Sequence, residues 1–176
     1  MRNPTDVLNS LSDKSKNPEY RFQRLYRNLY NPDFYLLAYK NIYANGGSMT
    51  PGVNGITIDG MSSQRIAKLI ESLKDRSYQP NPARRTYIAK KNNPAKKRPL
   101  GIPSGDDKLV QEVIRMLLES IYEPNFSDAS HGFRPQKSCH TALIQHWSNY
   151  SGHSPGQTGL WRGIFRRALT ALTTMY

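Results

Sequence analysis

RRTYIAKKNNPAKKRPLGIP, residues 84–103, is the stretch on which the reading of this chain turns. It is a short β-prone run, a polar turn and a second apolar run, with seven cations and no acid. Thr86-Tyr87-Ile88 suits one strand and Arg98 to Ile102 the other, with Asn92-Asn93-Pro94 in the turn. Arg84, Arg85, Lys90, Lys91, Lys96, Lys97 and Arg98 lie so close together that something outside the chain must offset their repulsion. A polyanion does so most simply, because each neutralised phosphate also releases condensed counterions. A solvated basic hairpin is the other reading that charge alone allows.

The chain as a whole is basic, and its composition is otherwise ordinary for a folded protein. A net charge of +12 over 176 residues places the chain among binders of nucleic acids or anionic surfaces. MRNPTDVLNSLSDKSK at the N-terminus lacks the apolar run of a signal sequence, and no later stretch approaches membrane-spanning length. A cytoplasmic protein with no membrane partner is therefore expected. Cys139 is the single cysteine, which excludes an internal disulfide or a cysteine-based zinc cluster. The four histidines are scattered without supporting carboxylates, so no metal site is expected.

Helical periods flank the hairpin. Residues 1–17 read as a flexible terminus. Phe22, Leu25, Tyr26, Leu29 and Tyr30 then form one helical face, ended by Asn31-Pro32. Asp33 is a candidate cap for a second helix through Phe34, Leu37, Ala38 and Ile42. SMTPGVNGITIDG reads as an ordered loop, and a third helix starts at Ser62 or Ser63 with Ile66, Leu69, Ile70 and Leu73 inward. Beyond the hairpin, Ser104 or Asp106 caps the clearest helix, whose stripe is Val110, Val113, Ile114, Leu117, Leu118 and Ile121. SHGFRPQKSCHTAL is a loop that leads into a new helix at about Lys137. Phe133 and Cys139 are expected in apolar surroundings, and His131 and His140 as structural residues.

Taken in order, GGSMTPGVNGITIDG, YQPNPARRTYIAKKNNPAKKRPLGIP, DKLVQEVIRMLLESIYEPNFSDASHGFRP and SCHTAL resemble group II intron reverse transcriptase/maturases over about residues 20–145. The resemblance implies an α+β fold: the mostly helical fingers of a right-hand polymerase, with one antiparallel β-hairpin and an irregular C-terminal tail. It implies an N-terminal extension over 18–82 and fingers over 83–145. It also implies intron RNA, an RNA template with DNA primer and a deoxynucleotide as partners, with Mg²⁺ as the metal of the full-length family. By motif position, Lys90 and Arg98 fall where the nucleotide triphosphate is held, a point charge and a planar fork for phosphate oxygens. Arg84, Arg85, Lys91, Lys96 and Lys97 are assigned to the RNA backbone. Arg134 either binds phosphate or anchors its loop, and residues 48–60 either cover the template or supply turns only.

The chain departs from that family after residue 145. Two-metal phosphoryl transfer needs paired carboxylates, yet Asp128 is the last acid of the sequence and no YADD-type turn follows. No catalytic or metal-binding residue is therefore expected, and an inactive fragment is the expectation. Codons permitted for Gln157–Tyr176, read from the third base of each triplet, can give NWFVEGDIPAGFDSIDHHV. That string resembles the family's first catalytic strand, so residues 146–176 are expected to be an out-of-frame tail. A stand-alone RNA-binding module, or one half of a split reverse transcriptase, are the alternatives.

Overall fold

A computed structural model of the chain describes residues 2–91 and 93–150. The expected tail falls mostly on 151–176 and the expected turn partly on Asn92; both lie outside the described residues. The chain divides into two units, Met1–Thr86 with Pro99–Asn125, and Tyr87–Arg98 with Phe126–Tyr176. Among the described residues no helix is long and apolar enough to cross a membrane.

The first unit is helical. Helix α1 (Pro4–Ser15) forms where a flexible terminus was expected. Asn3 caps it by accepting from the Thr5 N–H at 2.9 Å, and Pro4 at the first position costs no hydrogen bond. Leu11 is buried, and Val7 and Leu8 pack beside it. The anticipated helix from Phe22 is shorter and tighter, a 3-10 segment at Leu25–Tyr30. Arg24 precedes it with φ 59, a left-handed backbone that no α-helix can propagate through.

Helix α2 (Pro32–Tyr43) is capped by Asn31, not Asp33: the Asn31 side chain accepts from the Asp33 N–H at 3.1 Å. Helix α3 (Ser63–Lys74) starts at Ser63, one of the two expected positions, with Ser62 as its cap, and buries Ile66, Leu69, Ile70 and Leu73 as its period requires. Helix α4 (Gly105–Tyr122) runs through the centre of this unit, against α1 and α2. Phe34, Tyr35, Ala38, Leu109 and Val113 are wholly enclosed there, each large apolar side chain contributing about 1.5–3 kcal/mol. The Tyr35 hydroxyl reaches the Leu29 carbonyl at 2.8 Å, so its burial leaves no orphaned donor. Burial raises its pKa well above the ordinary tyrosine value, with a smaller contribution from Tyr26.

Two strands, β1 (Arg84–Lys90) and β2 (Asn93–Ile102), pair as the one antiparallel sheet among the described residues. Asn93 and Pro94 belong to β2 and not to the turn. A two-stranded ribbon is all edge, so Pro94 and Pro99 can aim their missing N–H outward. In the second unit, helix α5 (Cys139–Tyr150) begins two residues after the expected start and carries on past residue 146.

Candidate nucleic-acid interface

The hairpin is the most exposed ordered element of the sequence-predicted site. Every residue of β1 except Thr86 is exposed, and in β2 only Ile102 is partly covered. Alternation along a strand sends Arg84 and Lys90 to one face of β1 and Arg85 to the other. In β2 it separates Lys96 and Arg98 from Lys97, so both faces of the ribbon carry cations from each strand. Among the described residues, none of Arg84, Arg85, Lys90, Lys96, Lys97 and Arg98 makes an ion pair. Arginines that do pair are elsewhere: Arg65 holds Asp106 at 2.7 Å, and Arg115 holds Glu112 at 2.8 Å and Glu119 at 2.5 Å. Tyr87, read from the sequence only as a strand former, stands 59 % exposed between Arg85 and Lys90. An exposed aromatic ring amid cations is the signal that could have marked it as functional.

The two ends of the hairpin meet at the first turn of α4. Asp107 is buried there. Its carboxylate accepts from the Ser104 hydroxyl at 2.6 Å, the Asn81 N–H at 3.0 Å, the Asn81 side-chain amide at 3.3 Å, and the Tyr78 hydroxyl. Burial pushes the Asp107 pKa up, but the hydrogen bonds from Ser104, Tyr78 and Asn81 outweigh it and hold the carboxyl below its usual value. Tyr78 is moved the opposite way, raised by burial and by donating to Asp107. The sequence signal was Ser104-x-x-Asp107, a cap pattern whose acid also serves both flanks.

The loop over residues 48–60 docks on the same turn. Gly105 N–H donates to the Ile56 carbonyl at 3.1 Å. A Cβ on Gly52 would sit 2.6 Å from the Ser104 Cα, and one on Gly105 would sit 2.4 Å from the Thr57 carbonyl oxygen. Only glycine admits these approaches. Ile58 is fully enclosed, and the Arg65 guanidinium bridges Asp106 and the Thr57 carbonyl. Within the loop Gly52 makes this close approach, while Gly55 and Gly60 have positive φ and open space around them, as turn residues do.

In the second unit, Arg134 fastens its own loop. It donates to the Ser127 and Ser130 carbonyls, each at 2.8 Å, and its guanidinium lies 5.2 Å from the Phe126 ring centre. Phe133 is not in a core: it is fully exposed, with φ 57, because Gly132-Phe133 turns outward ahead of the Arg134 anchor. Cys139 is exposed as well, at the start of α5 and not beneath it. His131 bridges the Thr141 hydroxyl at 2.9 Å and the Gln145 side chain at 2.7 Å, a structural link between loop and helix.

Among the described residues no three or more His, Cys, Asp or Glu side chains cluster to hold a metal. The donor set for the Mg²⁺ that the resemblance implies is therefore not found there, and no catalytic step is assigned to these residues.

The group II intron-encoded protein LtrA of Lactococcus lactis subsp. cremoris is 56 % identical over 138 residues, covering 78 % of this chain and 23 % of LtrA. The chain belongs, over that region, to the group II intron-encoded reverse transcriptase/maturase family. An uncharacterized 91 kDa protein in the cob intron of Schizosaccharomyces pombe is 47 % identical over 153 residues, 84 % of this chain and 19 % of that protein. The mitochondrial nuclear intron maturase 1 of Arabidopsis thaliana is 27 % identical over 168 residues, 86 % of this chain and 24 % of the maturase. The chain thus spans about a quarter or less of the length of these relatives. No protein-family model matches it.

Proposed function

We propose that the chain supplies the N-terminal extension (18–82) and fingers (83–145) of a cytoplasmic group II intron-encoded RNA-directed DNA polymerase/maturase, and that its hairpin is the part that meets RNA. The observation that carries this reading is the ribbon itself: exposed cations on both faces, six of them making no ion pair among the described residues, in a chain of this family. Arg84, Arg85, Lys91, Lys96 and Lys97 neutralise RNA phosphates, a contact that fixes position and carries little base information. Tyr87 adds a ring on which an unpaired base can stack. Lys90 and Arg98 take the triphosphate of the incoming deoxynucleotide when the polymerase is whole. Arg134 orders the loop beside Phe126 through the contacts it already makes.

By itself the chain binds RNA weakly and does not extend primers, because the carboxylates for two-metal chemistry belong to sequence that residues 146–176 replace out of frame. The test titrates the purified chain against a fluorescein-labelled RNA oligonucleotide at several salt concentrations and assays primer extension with magnesium. Salt-sensitive binding without extension is the expected result. Salt-independent binding, or nucleotide incorporation above background, overturns the reading. The out-of-frame tail is checked on the gene, where no palm-like reading in either alternative frame would refute it.

A further inference from the structure

We infer that Asp107 is a positioning residue for the basic hairpin: it gathers the segment entering β1 and the segment leaving β2 onto the first turn of α4, and so holds the two strands in one pairing. The inference rests on the reading of the hairpin as an RNA-contacting element.

A two-stranded ribbon is marginal in water without something to pack on. Here the strands contribute no buried residue, and like charges on both faces push them apart. Pairing must therefore be held where the strands begin and end. Tyr78 and Asn81 lie just before β1, Ser104 just after β2, and all three donate to one carboxylate. The Asn81 amide also reaches the Ser104 hydroxyl at 3.3 Å, which links the two flanks directly. A buried carboxylate is costly unless its lone pairs are filled. Among the described residues no buried side-chain polar atom is left without a partner. If only packing were needed at this position, an apolar side chain would serve as well. An acid is needed because four donors from two separate flanks converge on it.

The experiment uses the full chain with Asp107→Asn, Lys96→Ala/Lys97→Ala and the combined variant. Amide hydrogen exchange reports hairpin order, and anisotropy with fluorescein-labelled oligouridine reports RNA affinity. With Asp107→Asn, amides of β1 and β2 exchange about tenfold faster while α2 and α3 keep their protection, and affinity falls by about tenfold through lost preorganisation. In the background already lacking Lys96 and Lys97, the same substitution weakens binding much less, because it acts through the cations it positions. Unchanged exchange in the hairpin, loss of protection throughout α2 and α3, or an equal loss of affinity in both backgrounds overturns the inference. Should Asp107→Asn fail to fold, Tyr78→Phe removes a single hydroxyl from the carboxylate, and unaltered hairpin exchange in that variant is again the negative result. If Lys96→Ala/Lys97→Ala leaves affinity intact while Asp107→Asn still loosens the strands, the clamp stands and the RNA reading falls.

Discussion

The Lys108 ammonium donates to the Thr50 carbonyl at 2.7 Å, and this contact explains why the loop over residues 48–60 is ordered. The same ammonium reaches the Ser48 carbonyl at 2.8 Å, so one side chain satisfies two loop carbonyls from the second turn's edge of α4. Burial lowers the Lys108 pKa below its ordinary value, the cost of bringing the charge in from water. Lys108→Met keeps the stem and removes the donor. Urea denaturation should show a loss of about 1–3 kcal/mol, with faster proteolysis inside 48–60. Gly105→Ala, which drives a methyl group onto the Thr57 carbonyl, should cost about 1–3 kcal/mol by overpacking. Unchanged midpoints and cleavage rates in both variants would mean that the loop is held by something else.

Acid should release the hairpin ends. Asp107 has a folded pKa below its ordinary value of 3.8, so as pH falls the unfolded chain takes up the proton first. Its stabilising contribution is then fully present above 3.8 and disappears as pH drops through the folded value. Glu112 follows the same sign: burial raises its pKa, and bonds from Arg115 and Asn41 more than reverse this. A comparison between variants isolates Asp107. At pH 7 the amides of β1 and β2 should exchange about tenfold faster in Asp107→Asn than in the natural chain, and that ratio should shrink as pH falls below 3.8. Amide exchange of the two chains across this pH range measures it; a ratio of constant size refutes the assignment.

Salt should separate the cations of the hairpin from its aromatic ring. Each phosphate contact on single-stranded RNA contributes about 0.7 to the slope of log affinity against log salt. Lys96→Ala/Lys97→Ala should therefore flatten that slope by about 1.4, to the same extent on RNAs of different sequence. Tyr87→Ala should cost about 1–3 kcal/mol of affinity for an unpaired strand and leave the slope alone. Anisotropy titrations at four salt concentrations decide the matter. A Tyr87 variant that binds like the natural chain would leave the ring as strand packing only.

Much of the helical unit was legible because capping residues and apolar stripes agree. Ser62 before Ile66, Leu69, Ile70 and Leu73 announces α3, and Ser104 before Leu109, Val110 and Val113 announces α4. Helix α1 escaped because Val7, Leu8 and Leu11 are its only large apolar residues among polar neighbours, and its burial depends on α4 a hundred residues later. The left-handed backbone at Arg24 has no residue-type signal, so the helix expected from Phe22 was overextended. Phe133 and Cys139 were misjudged for a related reason: side-chain type suggests burial, but tertiary neighbours decide it. The basic ribbon was visible as a run of charge, whereas the carboxylate that ties its ends was not, since its donors come from positions up to 29 residues away.

Helix α4 offers the sharpest contrast between expected and observed burial. Ile114 and Leu118 belong to the stripe read from the sequence, yet they are 39 % and 45 % exposed, about 100° around the helix from Val113 and Leu117. Met116 and Leu109 occupy the buried positions instead, because α1 and α2 approach α4 from that side. Truncating Phe34, which is wholly enclosed, removes its contacts and leaves a cavity, so Phe34→Ala should cost about 3–5 kcal/mol. Leu118→Ala loses a side chain that water already reaches, and should change stability by only about 0.5 kcal/mol. Thermal and urea melts of the two variants, run side by side, measure the difference. Equal losses would mean that the exposed face of α4 is covered in solution, and would place Leu118 in an interface rather than at the surface.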